Sequence, residues 1–133
     1  MFKTILFPID MSPEAQQAAS LAVDLVRQHQ SRLVLLSVVE NQPESTNPEQ
    51  TSPEAVAALL NQAKDLFAQQ GIASETLERE GQPAFVICDV ADEIAADLIV
   101  MGCRGIGLIE ESVAESVTNR VINLSPCPVL IVP

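Results

Sequence analysis

The sequence predicts an α/β fold, a single doubly wound domain in which a five-stranded parallel sheet carries helices on both faces. Four short runs of the 133 residues are apolar at nearly every position, and such a run predicts a strand buried on both of its faces. A fifth, more polar run predicts the remaining strand. Segments with apolar residues at helical spacing separate these runs. Alternating strands and helices favour a parallel sheet with right-handed crossovers. The length predicts one domain, residues 1–133.

The first strand, helix and second strand have clear boundaries. Ile5 to Ile9 is a continuous apolar strand that ends at Asp10. Ser12-Pro13-Glu14 then starts a helix, because serine caps helix N-termini, proline suits the first turn and glutamate interacts favourably with the positive end of the helix dipole. Leu33 to Val39 is the second strand, and the polar residues 40–51 predict a loop. The apolar residues of the first helix are Ala15, Ala18, Ala19, Ala22, Leu25 and Val26.

The rest of the chain repeats this pattern. Ser52-Pro53-Glu54 starts the second helix, and Gly71 ends it. Its predicted inner face consists of Val56, Leu59, Leu60, Ala63, Leu66 and Phe67. The third strand, around Ile72 to Arg79, is more polar, which predicts a place at a sheet edge. The remaining elements are a helix from Pro83 with Ala84, Ile87, Cys88, Ala91 and Ile94 facing inward, a strand at Leu98 to Met101, a helix over 111–123 and a strand at Val129 to Val132.

Composition excludes several classes of partner. A net charge of -11, only seven basic residues and the absence of Trp and Tyr argue against nucleic acid and anionic membranes. No apolar stretch approaches the roughly 18 residues of a membrane span, and no signal-peptide pattern is present, so a cytoplasmic protein is expected. Cys88, Cys103 and Cys127 lack metal-ligand spacing and are expected to be free thiols, with no metal site.

The most informative segment is Leu98 to Met101 running into Gly102-Cys-Arg-Gly105, with Ser116 further on. A buried strand, a glycine turn and a helix start can hold a phosphate through backbone N–H groups. Ligands of parallel sheets bind beyond the carboxyl ends of strands, where the strand order reverses. Asp10 and the turn at Gly102 are therefore expected to meet in one crevice.

Each of these residues also has a purely structural interpretation. Asp10 could cap the helix that follows it, and the two glycines could serve only a tight turn. Arg104 could pair with Glu110 or Glu111 instead of a phosphate. Ser116 and Thr118 could be ordinary first-turn helix residues. His29 is expected to be a cation at a helix C-terminus and not a catalytic base.

Taken together, the segments resemble the universal stress protein family over essentially the whole chain. The resemblance rests on Phe7-Pro-Ile-Asp10, Leu35-Leu-Ser-Val-Val39, Gly81-x-Pro83, Ala96-Asp-Leu-Ile-Val-Met-Gly-Cys-Arg-Gly105 and Ser125-Pro-Cys-Pro-Val-Leu-Ile-Val132. It implies the strand order 3-2-1-4-5 and a homodimer joined through the last strand, Val129 to Val132. An apolar strand at the end of the chain would otherwise leave an unprotected sheet edge, which supports the same expectation.

The resemblance also implies a nucleotide site. ATP-binding members carry Gly-x-x-Gly, nine residues and then Gly-Ser or Gly-Thr; Gly102, Gly105 and Ser116 match this pattern, whereas Glu115 replaces the third glycine. By the same alignment, the adenine and ribose end would be lined by Pro8, Ile9, Asp10, Val38 and Met101. The phosphates would be faced by Arg104, Gly105, Ser116, Val117 and Thr118.

The leading prediction is a non-enzymatic, cytoplasmic stress-response regulator whose crevice binds ATP, ADP or AMP, with Mg²⁺ if a triphosphate binds. Glu115 is expected to weaken that binding, and the family has a branch that lacks the glycine motif and binds no ATP. One alternative is a dimeric interaction module with an unidentified protein partner and no nucleotide. Another is a slow ATP-hydrolysing or adenylate-processing enzyme. The sequence has no nucleophile elbow, no His–Cys cluster and no lysine near the phosphate loop, so no catalytic residue is predicted.

Overall fold

The computed structural model of the chain describes residues 2–9, 14–39, 53–102 and 111–132, and it describes side chains for these except at 14–17 and 111–116. Strands and helices alternate along the chain. In order, the elements are β1 (Thr4–Pro8), α1 (Glu14–His29), β2 (Arg32–Val39), α2 (Pro53–Gln69), β3 (Ser74–Glu80), α3 (Pro83–Glu93), β4 (Leu98–Gly102), α4 (Glu111–Leu124) and β5 (Val129–Val132).

The five strands form one parallel sheet in the order β3-β2-β1-β4-β5. This confirms the predicted fold class and the strand order that the family resemblance implied. β1 lies at the centre, β2 and β3 extend the sheet to one side, and β4 and β5 extend it to the other. The polar strand β3 occupies an edge, as its sequence predicted. The order therefore reverses between β1 and β4, at the middle of the sheet.

Each face of the sheet carries two helices. Successive side chains of a strand point to opposite faces, so central strands must be apolar at every position. On one face, Ile5, Phe7 and Leu35 pack with residues of α1 and α2. On the other, Leu6 and Leu36 pack with residues of α3 and α4.

Local signals placed the helix starts well. α1 begins at Glu14, α2 at Pro53 and α3 at Pro83, each beside the predicted start signal. α2 ends at Gln69, and Gly71 follows with a φ of +79°, the left-handed conformation that glycine adopts most readily.

One predicted core residue of α2 is on the surface. Leu66 is 55% exposed, whereas Val56, Leu60 and Phe67 are buried. With 3.6 residues per turn, consecutive residues differ by about 100° around a helix. Leu66 therefore falls outside the narrow stripe that Phe67 shares with the other two.

Candidate functional site

The candidate crevice lies where the carboxyl ends of β1, β2 and β4 meet. β1 pairs with β2 as far as Pro8 and Leu36, and it pairs with β4 through Ile5–Leu98 and Leu6–Ile99. Just past the end of β1, the Ile9 N–H donates to the Leu36 carbonyl at 2.8 Å. The parallel register thus brings together five of the predicted site residues, namely Pro8, Ile9, Val38, Met101 and Gly102.

These residues divide between the two faces of the sheet. Val38 and Met101 pack in the cluster beneath α3 and α4, whereas Ile9 packs in the cluster beneath α1 and α2. Met101 and Ile9 are 7% and 9% exposed, while Pro8, Val38 and Gly102 are half-buried. The half-buried residues therefore have more surface for contact with a ligand, whereas Met101 and Ile9 are mainly core residues.

Helix α4 adds residues from the α3–α4 face. Val117 and Thr118 are half-buried, and Val117 packs against the same cluster as Met101. The backbone of Glu115 and Ser116 belongs to α4, but their side chains lie outside the described set. Asp10, Arg104 and Gly105 also lie outside the described residues. The predicted phosphate end is thus described only through Gly102, Val117 and Thr118.

The start of α3 is a neighbour of the crevice to which the sequence had assigned no site role. The Gly81 N–H donates to the Val39 carbonyl at the end of β2, at 3.0 Å. Gly81 has a φ of +143°, and a Cβ there would lie 2.9 Å from Cγ2 of Val86. Only glycine fits both constraints. Gln82, the N-cap residue, makes no side-chain capping bond. The motif Gly81-x-Pro83 directly after a strand was the signal for this turn.

Two of the three cysteines are described, and both are free. Cys88 is buried, with Sγ 3.9 Å from the Val121 carbonyl oxygen. Burial raises the pKa of the Cys88 thiol, and burial likewise raises the pKa of Cys127, partly offset by a hydrogen bond from Ser125. Thiolate, the nucleophilic form, is therefore scarce on both at neutral pH. Cys103, in the predicted phosphate turn, lies outside the described residues.

His29 lies in the last turn of α1, just before β2 begins. Its ring contacts Phe2 edge to face, with 5.2 Å between the ring centroids. This position is at the amino ends of the strands, opposite the crevice.

Within the described ranges, no group of three or more His, Cys, Asp or Glu residues could hold a metal ion, and no helix is both long and apolar enough to cross a membrane.

Comparison with known proteins identifies the family of this chain. The model of the universal stress protein family matches residues 1–133. The chain belongs to the universal stress protein family. It is 65% identical to the universal stress protein Sll1654 of Synechocystis sp. over 136 residues, which cover 100% of this chain and 87% of that protein.

Solved structures of family members share the architecture. A crystal structure of a universal stress protein in complex with cAMP has a TM-score of 0.80 at 25% identity, covering 99% of this chain and 97% of that chain. The universal stress protein of Archaeoglobus fulgidus in complex with dAMP has a TM-score of 0.73 at 21% identity, covering 100% and 98% of the two chains. At 21% identity, the likeness to this second structure shows only a shared fold.

Proposed function

We propose that this universal stress protein binds an adenine nucleotide at the carboxyl ends of β1, β2 and β4. The observation that carries the proposal is the reversal of strand order between β1 and β4, with Gly102 ending β4 at the start of the Gly-x-x-Gly motif. Such reversals are where open parallel sheets bind ligands. A family member of the same fold that was solved with cAMP supports the choice of ligand class.

The residues suggest how the ligand would lie. Pro8 and Val38 are half-buried and apolar, which suits the base and the ribose ring. Gly102 allows close approach of phosphate to the backbone, and Thr118, half-buried on α4, carries a hydroxyl at that end. In this arrangement Asp10 binds the ribose end, and Arg104, Gly105 and Ser116 face the phosphates, with Mg²⁺ accompanying a triphosphate.

Glu115 is the feature that sets the affinity. It stands where ATP-binding members have glycine, so it adds both volume and a negative charge near the outer phosphates. A like charge at ~4 Å costs roughly 1–4 kcal/mol at effective dielectric constants of 80 to 20, which corresponds to about one to three decades in affinity. ATP should therefore bind weakly, and AMP, which lacks the outer phosphates, should be affected little.

We also infer a regulatory and non-enzymatic role in the cytoplasm. Among the predicted site residues whose side chains the structure describes, Thr118 is the only one with a polar side chain. A hydroxyl without a neighbouring base is a poor nucleophile. Slow hydrolysis of ATP would be incidental to binding.

The decisive experiment is calorimetric titration with ATP, ADP and AMP, with and without Mg²⁺. Glu115→Gly should strengthen ATP binding by about ten- to a thousandfold and leave AMP binding nearly unchanged. The gain should shrink as salt rises, because part of it is charge repulsion at a partly exposed site. Glu115→Gln is the matched control, since it removes the charge and keeps the volume. Asp10→Ala should weaken both ligands alike.

Two results would favour the other candidate functions. If Glu115→Gly leaves ATP binding undetectable, and mass spectrometry of the purified protein finds no nucleotide, the interaction module becomes the better assignment. ATP turnover well above background would favour the enzyme.

We further propose a homodimer joined along β5. β5 is an edge strand of the sheet, and all four of its residues, Val129 to Val132, are only half-buried. Ile122 and Leu124, near the end of the preceding helix, are about half exposed as well, at 51% and 49%. Pairing with a second copy would cover this apolar edge.

A further inference from the structure

Pro8 occupies an unusual place for a proline. It is the last residue of β1, which is the central strand of the sheet. Proline has no backbone N–H, so within sheets it is normally confined to edge strands, strand starts or bulges. The sheet must therefore lack one hydrogen bond at this position, and the geometry identifies which one.

The missing donor faces β4. The Ile9 N–H donates to Leu36 of β2. The backbone N–H and C=O groups of successive residues in a strand point alternately to the strand on one side and the strand on the other. Because Ile9 faces β2, the backbone groups of residues 6 and 8 face β4. On β4, the Ile99 N–H donates at 3.0 Å to Pro128, just before β5. By the same alternation, Val100 faces β1.

The register shows the consequence. The paired residues of β1 and β4 end at Leu6 and Ile99, although β1 continues to Pro8 and β4 to Gly102. The next donor in this ladder would be the N–H of residue 8, directed at the Val100 carbonyl. On the other side, β1 stays paired with β2 through Pro8 and Leu36. The ladder is thus interrupted only toward β4, at the point where the strand order reverses.

We propose that Pro8 is a positioning residue for the nucleotide crevice, which it keeps open by ending the β1–β4 ladder early; the inference rests on the proposed function. Paired strands lie about 4.8 Å apart and rise about 3.3 Å per residue. A ladder that continued through residue 8 to Gly102 would pair the two strands over roughly 6–7 Å more of their length. Pro8 acts through the backbone, in addition to any contact of its ring with the ligand.

The test is to restore the N–H with Pro8→Ala and Pro8→Val. Hydrogen exchange followed by NMR should show the new amide of residue 8 exchanging at least a hundredfold more slowly than in an unstructured peptide. AMP affinity should fall about tenfold or more in both variants, while the unfolding midpoint stays near that of the unaltered chain. A merely structural role would lower stability and affinity together. Valine restores most of the side-chain volume, so a loss of ring contact alone would spare Pro8→Val.

Pro83→Ala is the matched control. Pro83 is the first residue of α3, where an N–H has no helical acceptor, so restoring it adds no bond. An unprotected amide at residue 8, or AMP binding within twofold of the unaltered chain in both Pro8 variants, would overturn the inference. The exchange measurement needs no nucleotide. If the unaltered chain binds no AMP, the proposed function fails, while protection at residue 8 still decides whether Pro8 ends the ladder.

Discussion

At the scale of single residues, several positions depart from what their residue type prefers. Gln30 and Ala95 have φ values of +53° and +55°, in a region that costs an L-residue roughly 1–2 kcal/mol. Ser74 is 8% exposed, and its hydroxyl has no hydrogen-bond partner among the residues that the structure describes. Each departure marks a place where the chain is less stable than its fold allows.

Ala95→Gly should raise the free energy of unfolding by about 0.5–1 kcal/mol, because glycine adopts the left-handed conformation without a Cβ clash. Ala95 is exposed and follows the C-terminus of α3, where the Ala96 N–H closes the turn onto the Ala91 carbonyl at 2.9 Å. Urea unfolding provides the measurement. The control is Ala57→Gly, at an exposed position inside α2, which should lose about 1 kcal/mol. Equal losses in both variants would contradict the prediction.

Ser74→Ala should leave stability unchanged or raise it by about 1 kcal/mol, since a buried hydroxyl without a partner carries an uncompensated desolvation cost. Ser31→Ala is the comparison, because the Ser31 hydroxyl donates to the Phe2 carbonyl. Its removal should lower the free energy of unfolding by about 0.5–1.5 kcal/mol. Chemical denaturation of the two variants side by side would test the contrast, and a larger loss at Ser74 would refute it.

At the scale of elements, polar contacts tie the strands together at their amino ends. The Asp97 carboxylate, just before β4, accepts the N–H groups of Lys3 and Thr4 at 2.9 and 3.0 Å. Between β2 and β3, the Arg32 guanidinium contacts both carboxylate oxygens of Glu75. The hydrogen bond from Arg32 lowers the pKa of Glu75. These contacts lie opposite the candidate crevice, so they can stabilise the sheet without shaping the site.

The lowered pKa of Glu75 predicts a pH dependence. A carboxyl group with a lower pKa in the folded state stabilises the fold above its unfolded pKa, and this stabilisation is lost as the pH falls through the folded value. Glu75→Gln should therefore lower the urea midpoint slightly at pH 7. The difference should start to shrink as the pH falls below 4.5, the ordinary pKa of the group, and should disappear once the pH is below the lowered pKa of the folded state. Both side chains are about half exposed, so the effect should be small and should weaken in high salt.

The comparison for this element is Glu78→Gln on the same strand, since no ion pair of Glu78 appears among the described residues. It should change the midpoint less than Glu75→Gln does at neutral pH. A difference for Glu75→Gln that persists at acid pH would mean that the contact stabilises the sheet by something other than the carboxylate charge.

At the scale of the whole molecule, the two edges of the sheet differ in character. β3 carries four charged residues, Glu75, Glu78, Arg79 and Glu80, and charges on an edge strand discourage pairing with another sheet. β5 is apolar throughout, with the sequence Val-Leu-Ile-Val. The chain therefore protects one edge by charge and leaves the other suited to a second copy, which is the basis of the proposed dimer.

Leu130→Asp or Val132→Asp should shift the protein from dimer to monomer, because each places a charge within the proposed interface. Sedimentation at micromolar concentration would measure the shift. Glu78→Asp, at the charged edge, should leave the association unchanged. A strict monomer in the unaltered chain, or a dimer indifferent to both aspartates, would contradict an interface along β5.

Much of the fold could be predicted because its signals are local. Continuous apolar runs identify strands buried on both faces, and Ser-Pro-Glu at residues 52–54 places a helix start without reference to the rest of the chain. The strand order came from the family resemblance, since local patterns do not say which strands are neighbours. The carboxyl-end position of Gly102 followed from the parallel topology, whereas Pro8 and Val38 were assigned to the site through the family resemblance. Their binding of a nucleotide stays a prediction.

Some features were decided only by the tertiary structure, because they depend on partners that are distant in sequence. Leu66 fits the helical pattern yet lies outside the buried stripe, since the sheet covers only part of the helix. Ile9 and Val38, both predicted for one site, pack on opposite faces. The sequence alone does not show which neighbouring strand faces the missing N–H of Pro8. Its effect exists only because β4, 93 residues further along in register, is the strand that its missing N–H would have faced.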